Sequence, residues 1–449
     1  MSVDIIFLLG NLIVVLISVF SINYCQLKYL NLSEKIFVRR ILGFSLLLRI
    51  FAVLFYYAIF YYITGTEFDV EAIDALDYDE SAQRTAESIL NGTFTFVGFL
   101  IDIKAQFDDS GYVMFLSLIY IVFNKSIIVV RLIQAIISAA TVVLIYKVSK
   151  DIFDEKTAKL SAILTASFHP LLLFSALHLK ETLMSYFILL FIYQCIKLVN
   201  KKVSINIVLL LAFSLLALFS FRTILGLIAL LSFVGYWFLS NNDSIIKKIA
   251  FLTIGCLLGV ILVINIPALD NVVYKSSKYL GIQTEGKGSG TVGGITPEQM
   301  ASGQSFAKYA GGGVFLIQSL IMPYPSMVRT NIVYYDQTLQ WYFAGGLFFW
   351  CFLSYYAYIG VYNSLRKQFK KSSILIFTAL LYTFALIGSL YITSIRFNIV
   401  KMILLIPFIA YGIIYSSTRV RTNFMSYAIV VALIILAWNY IKLAGRGYV

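Results

Sequence analysis

The chain has 449 residues, of which 60% are apolar and 13% are charged, with a formal net charge of +13 at pH 7. Ordinary soluble domains carry about 25% charged residues, so this composition excludes a soluble globular protein. The basic residues stand in short clusters between apolar runs, which is typical of membrane-protein loops and argues against a nucleic-acid partner.

Apolar runs of about 20 residues recur along the chain and predict an all-α polytopic membrane protein with about 12 transmembrane helices. The runs are continuous and do not alternate as the strands of a β-barrel would. The predicted spans are 4–22, 41–63, 128–148, 158–176, 182–199, 205–221, 223–240, 248–266, 339–360, 374–393, 397–416 and 425–442.

Basic residues between the spans predict the orientation of the chain. When the spans are threaded in order, six basic loops fall on one side, which the positive-inside rule makes cytoplasmic. Their members are Lys35, Arg39, Arg40, Lys147, Lys150, Lys156, Lys201, Lys202, Lys247, Lys248, Arg366, Lys367, Lys370, Lys371, Arg419 and Arg421. Arg131, one turn into the third span, is expected to be structural.

The threading divides the chain into five segments. They are two N-terminal spans (1–63), an acidic outer loop (64–127), a transmembrane core (128–266), a second outer loop (267–338) and the C-terminal spans (339–449). Apolar residues 111–123 in the first outer loop are short for a span and predict an interfacial helix. In the second, a Gly-rich stretch (281–313) precedes apolar residues 314–322 and Pro323-Tyr324-Pro325, which predict a re-entrant segment.

The first outer loop holds 11 of the 22 acidic residues, between Glu67 and Asp109. In a helix, Asp74 and Asp77 would share one face, as would Asp77 and Glu80. Neighbouring carboxylates raise one another's pKa or bind a cation, and either result suits a base that takes a proton from a hydroxyl. A merely solvated acidic loop is the alternative, but the flanking apolar segments favour a function.

Several further polar residues fall at outer span ends. Arg residues on this side need a reason, and a common one is bidentate binding of phosphate. Anchoring to lipid headgroups is the alternative for each basic residue, and a helix-start effect is the alternative for Glu181. Together they favour a site for a phosphate-bearing lipid. The residues are Lys180, Glu181, Arg222, Arg329, Asp336 and Arg396.

No nucleotide-binding motif and no His-rich metal site is present in the sequence, which holds two His. The sequence therefore shows no site at which a nucleotide could bind on the cytoplasmic side and supply energy. We expect any reaction to use an activated substrate that is itself embedded in the membrane.

Four motifs follow one another between Asp74 and Leu183. They are Asp74-Ala75 with Tyr78 and Ala82, Gly111-Tyr112 with Phe115-Leu116, Val130-Arg131 with Gln134-Ala135, and His169-Pro170 through Lys180-Glu181. This ordered set spans about 110 residues and resembles the polyprenyl-phosphate-sugar glycosyltransferases of the GT-C type, especially bacterial members similar to protein O-mannosyltransferases. The extra N-terminal span departs from the simplest members of that group, and the C-terminal third looks more like polysaccharide-assembly transferases and O-antigen-type polymerases.

The resemblance implies a GT-C-like bundle in a bacterial cytoplasmic membrane, with its active site facing outside. It implies that Asp74 or Asp77 is the catalytic base or a metal ligand, with Glu181 as the acidic partner. A divalent cation, Mg or Mn, would be held by Asp77 and Glu181. The donor would be a polyprenyl-linked sugar and the acceptor a glycan, a lipid or a protein. The expected substrate-binding residues are Tyr78, Lys180, Arg222, Arg329, Asp336 and Arg396, whereas Asp108 and Asp109 are expected to lie in a solvated loop.

Two alternatives remain open at the level of the sequence. A polymerase of lipid-linked oligosaccharide repeats, as in capsule or O-antigen assembly, would use the same membrane side and give a ladder of products. A flippase or transporter of a lipid-linked sugar would carry charges within the membrane, broken helices and repeated halves. The sequence places its charges at span ends and contains no clear repeat, which disfavours the transporter.

Overall fold

The computed structural model describes residues 3–68, 73–102, 107–200, 204–240, 318–325, 337–367, 369–388 and 394–444. Regular structure in these ranges is helical throughout. The long helices are α1 (Val3–Tyr29), α2 (Glu34–Thr64), α3 (Ile73–Leu90), α4 (Phe96–Asp102), α5 (Phe107–Phe123), α6 (Ile127–Ile152), α7 (Glu155–Ala166), α8 (His169–Ala176), α9 (Glu181–Val199), α10 (Ile205–Phe221), α11 (Thr223–Ser240), α12 (Gln337–Arg366), α13 (Ser373–Gly388), α14 (Ile395–Tyr415) and α15 (Thr418–Ala444).

Seven of the helices in the described ranges are long and apolar enough to cross a membrane, namely α2, α6, α9, α11, α13, α14 and α15. The α7–α8 pair adds an eighth span if its two halves are taken together. The predicted all-α polytopic membrane protein is therefore confirmed. The predicted span at 248–266 and the Gly-rich stretch at 281–313 lie outside the described residues.

The predicted span 158–176 is two helices that meet at an angle of 49°. Pro170 lies in the first turn of α8, where a proline lacks the N–H that would continue the preceding helix. The last carbonyls of α7 would then have no partner inside the helix. The Arg49 guanidinium supplies one, because it donates to the carbonyl oxygens of Thr165 at 3.4 Å and Ala166 at 3.3 Å.

Contacts between helix ends define two poles of the bundle, and successive long helices run from one pole to the other. At one pole, Lys150 on α6 pairs with Glu34 on α2 over 2.5 Å, and the Tyr415 hydroxyl on α14 donates to Asp154 over 2.9 Å. The start of α9, the start of α11 and the start of α14 meet at the opposite pole, together with α3 and α5. This alternation is the one that the predicted threading gives. The second pole is called the outer pole after that prediction.

Two buried cations correct the expectation that charges lie at span ends. Arg49, halfway along α2, and Lys401, in α14, are both fully buried. The Lys401 ammonium donates to the carbonyl oxygens of Ser319 and Met322, each at 2.8 Å, and so fixes the short apolar segment 318–325 against α14. The sequence interpretation missed both because a single basic residue inside an apolar run barely lowers its mean hydropathy.

Candidate functional site

Arg396 lies at the centre of a charged cluster at the outer pole. It is the second residue of α14, which begins after the extended Ser394. The guanidinium Nε lies 2.5 Å from Glu181 Oε1, and Nη1 pairs with the carboxylate of Asp74. One cation thus joins α14 to the first turn of α9 and to the first turn of α3.

Glu181 is the most enclosed member of the cluster, with a side chain 1% exposed. Its second carboxylate oxygen, Oε2, is buried and has no hydrogen-bond partner among the described residues. An unpaired buried carboxylate oxygen costs free energy unless a donor reaches it. Glu181 therefore has an acceptor available for a donor group of a ligand.

Lys180 forms a second ion pair beside the first. Its ammonium pairs with Asp109 and lies 5.8 Å from the centre of the Tyr78 ring, and the Tyr78 hydroxyl donates to Asp109 over 3.0 Å. Burial lowers the pKa of Lys180, and the neighbouring Asp109 carboxylate partly opposes that shift. The pair connects the α8–α9 turn to the start of α5.

The expectation that Asp108 and Asp109 lie in a solvated loop is wrong. Asp109 is 17% exposed and holds Lys180, and Asp108 accepts hydrogen bonds from the backbone N–H (2.7 Å) and the hydroxyl of Thr223. Both carboxylates lie in the first turn of α5, where a helix N-terminus favours negative charge. Their position directly before the predicted apolar helix was the sequence signal that would have found them.

Arg222 separates α10 from α11 and stacks on an aromatic ring of α14. Its guanidinium carbon lies 4.2 Å from the centre of the Phe397 ring. Within the described part of the chain, no carboxylate forms an ion pair with it, and it is partly exposed. Arg222 is close enough to Asp74 to lower the pKa of that carboxyl. It is thus a cation with N–H donors available at the edge of the cluster.

The structure separates the two aspartates between which the sequence could not choose. Burial raises the pKa of Asp74, but the charge and hydrogen bond of Arg396, with the charges of Lys180 and Arg222, outweigh burial and lower it overall. Asp74 is therefore ionised at neutral pH. Asp77, three residues along α3, is exposed and takes part in no ion pair of the described residues.

The divalent cation was predicted at Asp77 and Glu181. Asp77 is exposed, and Glu181 Oε1 is paired with Arg396 Nε at 2.5 Å. In the described ranges, no three His, Cys, Asp or Glu side chains are grouped closely enough to hold a metal.

A polar cluster that the sequence interpretation did not identify lies behind the ion pairs. The carboxylate of Asp79 accepts hydrogen bonds from the hydroxyl of Tyr120 and from Gln83 at 2.8 Å, and the Tyr120 hydroxyl lies 3.4 Å from His178 Nε2. Burial raises the pKa of Asp79, although both hydrogen bonds oppose the shift. The cluster ties α3 and α5 to the turn that carries Lys180 and Glu181.

Three further residues that the sequence singled out lie outside the charged cluster or outside the described ranges. Arg329 and Asp336 lie outside the described residues. Arg131 is buried, donates to the Glu67 carbonyl oxygen over 2.6 Å and lies 5.8 Å from the Phe60 ring centre, which agrees with its predicted structural role. Six predicted site residues are therefore near one another at the outer pole: Asp74, Tyr78, Lys180, Glu181, Arg222 and Arg396.

The family model of dolichyl-phosphate-mannose-protein mannosyltransferases matches residues 111–267 of the chain. The matched part includes Lys180, Glu181 and Arg222 and excludes Asp74 and Arg396. The match confirms the resemblance to GT-C type glycosyltransferases that the sequence motifs indicated. It also supports the assignment of the chain as an integral membrane protein.

No curated protein sequence matches the chain. Among solved structures, one match is the archaeal oligosaccharyltransferase AglB from Archaeoglobus fulgidus in complex with an inhibitory peptide and a dolichol-phosphate. The two chains are 12% identical, and the TM-score is 0.35. The match covers 76% of this chain and 48% of AglB, so the chain spans about half the length of that structure.

Proposed function

We propose that the chain is a membrane glycosyltransferase that moves a sugar from a polyprenyl-phosphate or -diphosphate carrier to an acceptor on the extracytoplasmic side. The observation that carries the proposal is the partly buried Arg396, which joins Glu181 and Asp74 at this pole. A cluster of ionised groups at a membrane boundary is costly and marks a site rather than a surface. The match to a family of lipid-phosphate-sugar transferases supports the same conclusion.

The cations of the site suit the donor phosphate. Arg222 has no ion-pair partner in the described part of the chain, and its planar guanidinium matches a phosphate group in bidentate fashion. Lys180 and Arg396, like Arg222, lie close enough to Asp74 to lower its pKa, so all three positive charges are near this carboxylate. We assign Arg222 to phosphate recognition, with Lys180 and Arg396 neutralising the charge that develops on the leaving phosphate.

The carboxylate of Asp74 suits the acceptor. Asp74 is half exposed and ionised, so it is accessible to an incoming hydroxyl and able to take its proton. The acceptor oxygen then forms a bond to the anomeric carbon, and the bond from that carbon to the phosphate oxygen breaks. The polyprenyl phosphate leaves with the electron pair, and the proton remains on Asp74. Glu181 holds Arg396 in place and presents Oε2 to a sugar hydroxyl.

A transporter remains the rival from another class, because the broken α7–α8 span and the buried Arg49 are features that transporters share. Hydrogen bonds to backbone carbonyls hold Arg49 and Lys401 in this chain, which favours a structural role for both. Flux of the lipid-linked sugar without turnover would support the transporter. Products that form a ladder would support the polymerase over a single-sugar transferase.

The test is transfer by the purified full chain in liposomes that contain a polyprenyl-phosphate sugar and candidate acceptors. Asp74→Asn and Glu181→Gln should each reduce transfer by about 10²–10³-fold, the range for loss of an acid–base or electrostatic group. Asp77→Asn, compared side by side, decides which aspartate is the base, and we expect the larger loss at Asp74. Glu87→Gln, an exposed carboxylate of the same helix, is the matched control. Full transfer by all three variants at Asp74, Asp77 and Glu181 would refute the proposal.

A further inference from the structure

A cleft beside the later turns of α3 lies outside the charged cluster. It has a volume of about 90 Å³ and lies between α3 and the segment that leads into α4. One enclosed water needs about 10–15 Å³ of such volume, so the cleft holds on the order of six or more waters. Its lining residues are Ser81, Arg84, Thr85, Ser88, Thr93, Phe94, Thr95, Gly98 and Phe99.

The two walls of the cleft differ in chemistry. One wall is a row of hydroxyls along successive turns of α3, from Ser81, Thr85 and Ser88. The opposite wall carries Phe94 and Phe99, whose ring centroids lie 5.8 Å apart. Such a cleft accepts a ligand that has hydroxyls on its edges and an apolar face of C–H groups, which is the surface of a sugar ring.

The hydroxyls keep hydrogen-bonding capacity for a ligand. Thr85 and Ser88 each donate to a backbone carbonyl oxygen over 2.8 Å, which leaves their oxygen lone pairs available as acceptors. The Thr95 oxygen accepts from the Gly98 N–H over 3.1 Å, which leaves its hydrogen available to donate. Arg84 adds N–H donors at the exposed mouth, where its pair with Glu80 is loose at 3.6 Å.

The cleft continues along the helix that starts in the charged cluster. Asp74 is in the first turn of α3, and Ser81 and Ser88 follow it by seven and fourteen residues. At about 1.5 Å per residue, they lie roughly 10 and 21 Å further along the axis. A chain of a few sugars whose end is at Asp74 would therefore reach the cleft.

We propose that this cleft binds a sugar residue of a glycan acceptor, set back from the end that receives the new sugar. This assignment rests on the proposed transferase function, since it identifies the acceptor as an oligosaccharide. It also places acceptor selection on α3 and the segment after Gly92, away from the phosphate-binding cations. The binding itself needs neither catalysis nor a donor, so it is measurable by itself.

The experiment uses the purified full chain in nanodiscs and saturation-transfer NMR with a panel of neutral and uronate-containing tetrasaccharides. We expect at least one to bind, with Thr85→Val weakening it about fivefold through loss of one hydrogen-bonding group and Phe94→Ala about tenfold through loss of the ring face. Val97→Ala, an exposed residue of α4 that does not line the cleft, is the matched control and should bind as the unchanged chain does.

The arms of the experiment separate the two proposals. Glu181→Gln should reduce transfer by about 10²–10³-fold while the tetrasaccharide still binds. Phe94→Ala should raise the acceptor KM while kcat changes little. If no tetrasaccharide binds, or if Thr85→Val and Phe94→Ala bind as tightly as the unchanged chain, the cleft assignment is wrong. The transferase proposal would survive that result provided that Asp74→Asn and Glu181→Gln still lose transfer.

Discussion

Two arginines of this bundle are held in opposite ways. Arg49 in α2 is fully buried and surrounded by neutral oxygens: the Ser138 hydroxyl at 2.7 Å, the hydroxyl and carbonyl of Ser45, and the end of α7. Arg396 in α14 is partly buried and is held by two carboxylates from two other helices. The carboxylates neutralise the charge of Arg396, whereas no described anion pairs with Arg49.

The difference indicates which charge serves the fold and which serves a site. Neutral acceptors and a helix C-terminus satisfy the Arg49 donors, and the arrangement is complete without a ligand. Around Arg396 one carboxylate oxygen has no partner in the described residues and Arg222 has no counter-ion there. An arrangement that is incomplete by itself is the one that we expect to bind a charged, hydroxyl-bearing substrate.

Arg396→Met should give the largest effect. It leaves Glu181 as a buried carboxylate without a counter-ion, and breaking a buried pair in this way costs about 3–5 kcal/mol. We expect a strongly reduced Tm of the purified protein together with loss of transfer. Arg396→Lys should be intermediate, because an ammonium does not reproduce the guanidinium fork that bridges two carboxylates.

The double variant Arg396→Met/Glu181→Leu separates stability from activity. It removes both charges, so Tm should recover relative to Arg396→Met while transfer remains lost. If transfer recovered together with Tm, the Arg396–Glu181 pair would have only a structural role. It would then not differ from Arg49 in function.

Arg49→Met should destabilise the protein less and leave the site intact. It removes the donors that satisfy the carbonyls of Thr165 and Ala166 at the helix break, and hydrogen bonds to a charged group contribute about 1.5–3 kcal/mol. The expected result is a lower Tm with unchanged transfer per folded molecule. An unchanged Tm, or a loss of transfer in fully folded protein, would contradict the structural role.

Arg222→Gln should affect binding and hardly affect stability. Its guanidinium lies over the face of the Phe397 ring, a contact that contributes about 0.5–1 kcal/mol at an exposed site. Loss of one bidentate phosphate contact should lower kcat/KM for the lipid-phosphate donor by about tenfold or more. The matched control is Lys125→Gln, an exposed cation paired with Glu87, which should leave kcat/KM for the donor unchanged.

The sequence predicted the helices better than it predicted their polar contacts. Apolar length alone located the spans, because twenty apolar residues have few other stable structures. The break at Pro170 and the burial of Arg49 were missed, since both depend on which helix packs beside which. Lys180, Glu181, Arg222 and Arg396 were found because charge at the outer span ends is unusual. The different surroundings of Asp74 and Asp77, and the contacts of Asp108 and Asp109, depend on the directions in which α3 and α5 present their side chains.

Asp79→Asn should change Tm least of these variants. The Asp79 carboxyl should also make stability depend on pH in the opposite direction from the ion-paired carboxylates. Burial raises the pKa of Asp79 above 3.8 in the folded state, so folding favours the protonated acid and stability falls as pH rises from 3.8 through the raised value. Asp74 behaves the other way, since its pKa is lowered and its contribution is lost only as pH falls below 3.8. Asn is neutral at every pH, so Asp79→Asn should flatten Tm against pH in the window above 3.8 and leave Tm at neutral pH equal or slightly higher. If Asp79→Asn instead lowered Tm at neutral pH as far as Arg396→Met does, the fold would require Asp79 in its ionised form. Asp79 would then be a second charge, besides Arg49, that stabilises the fold.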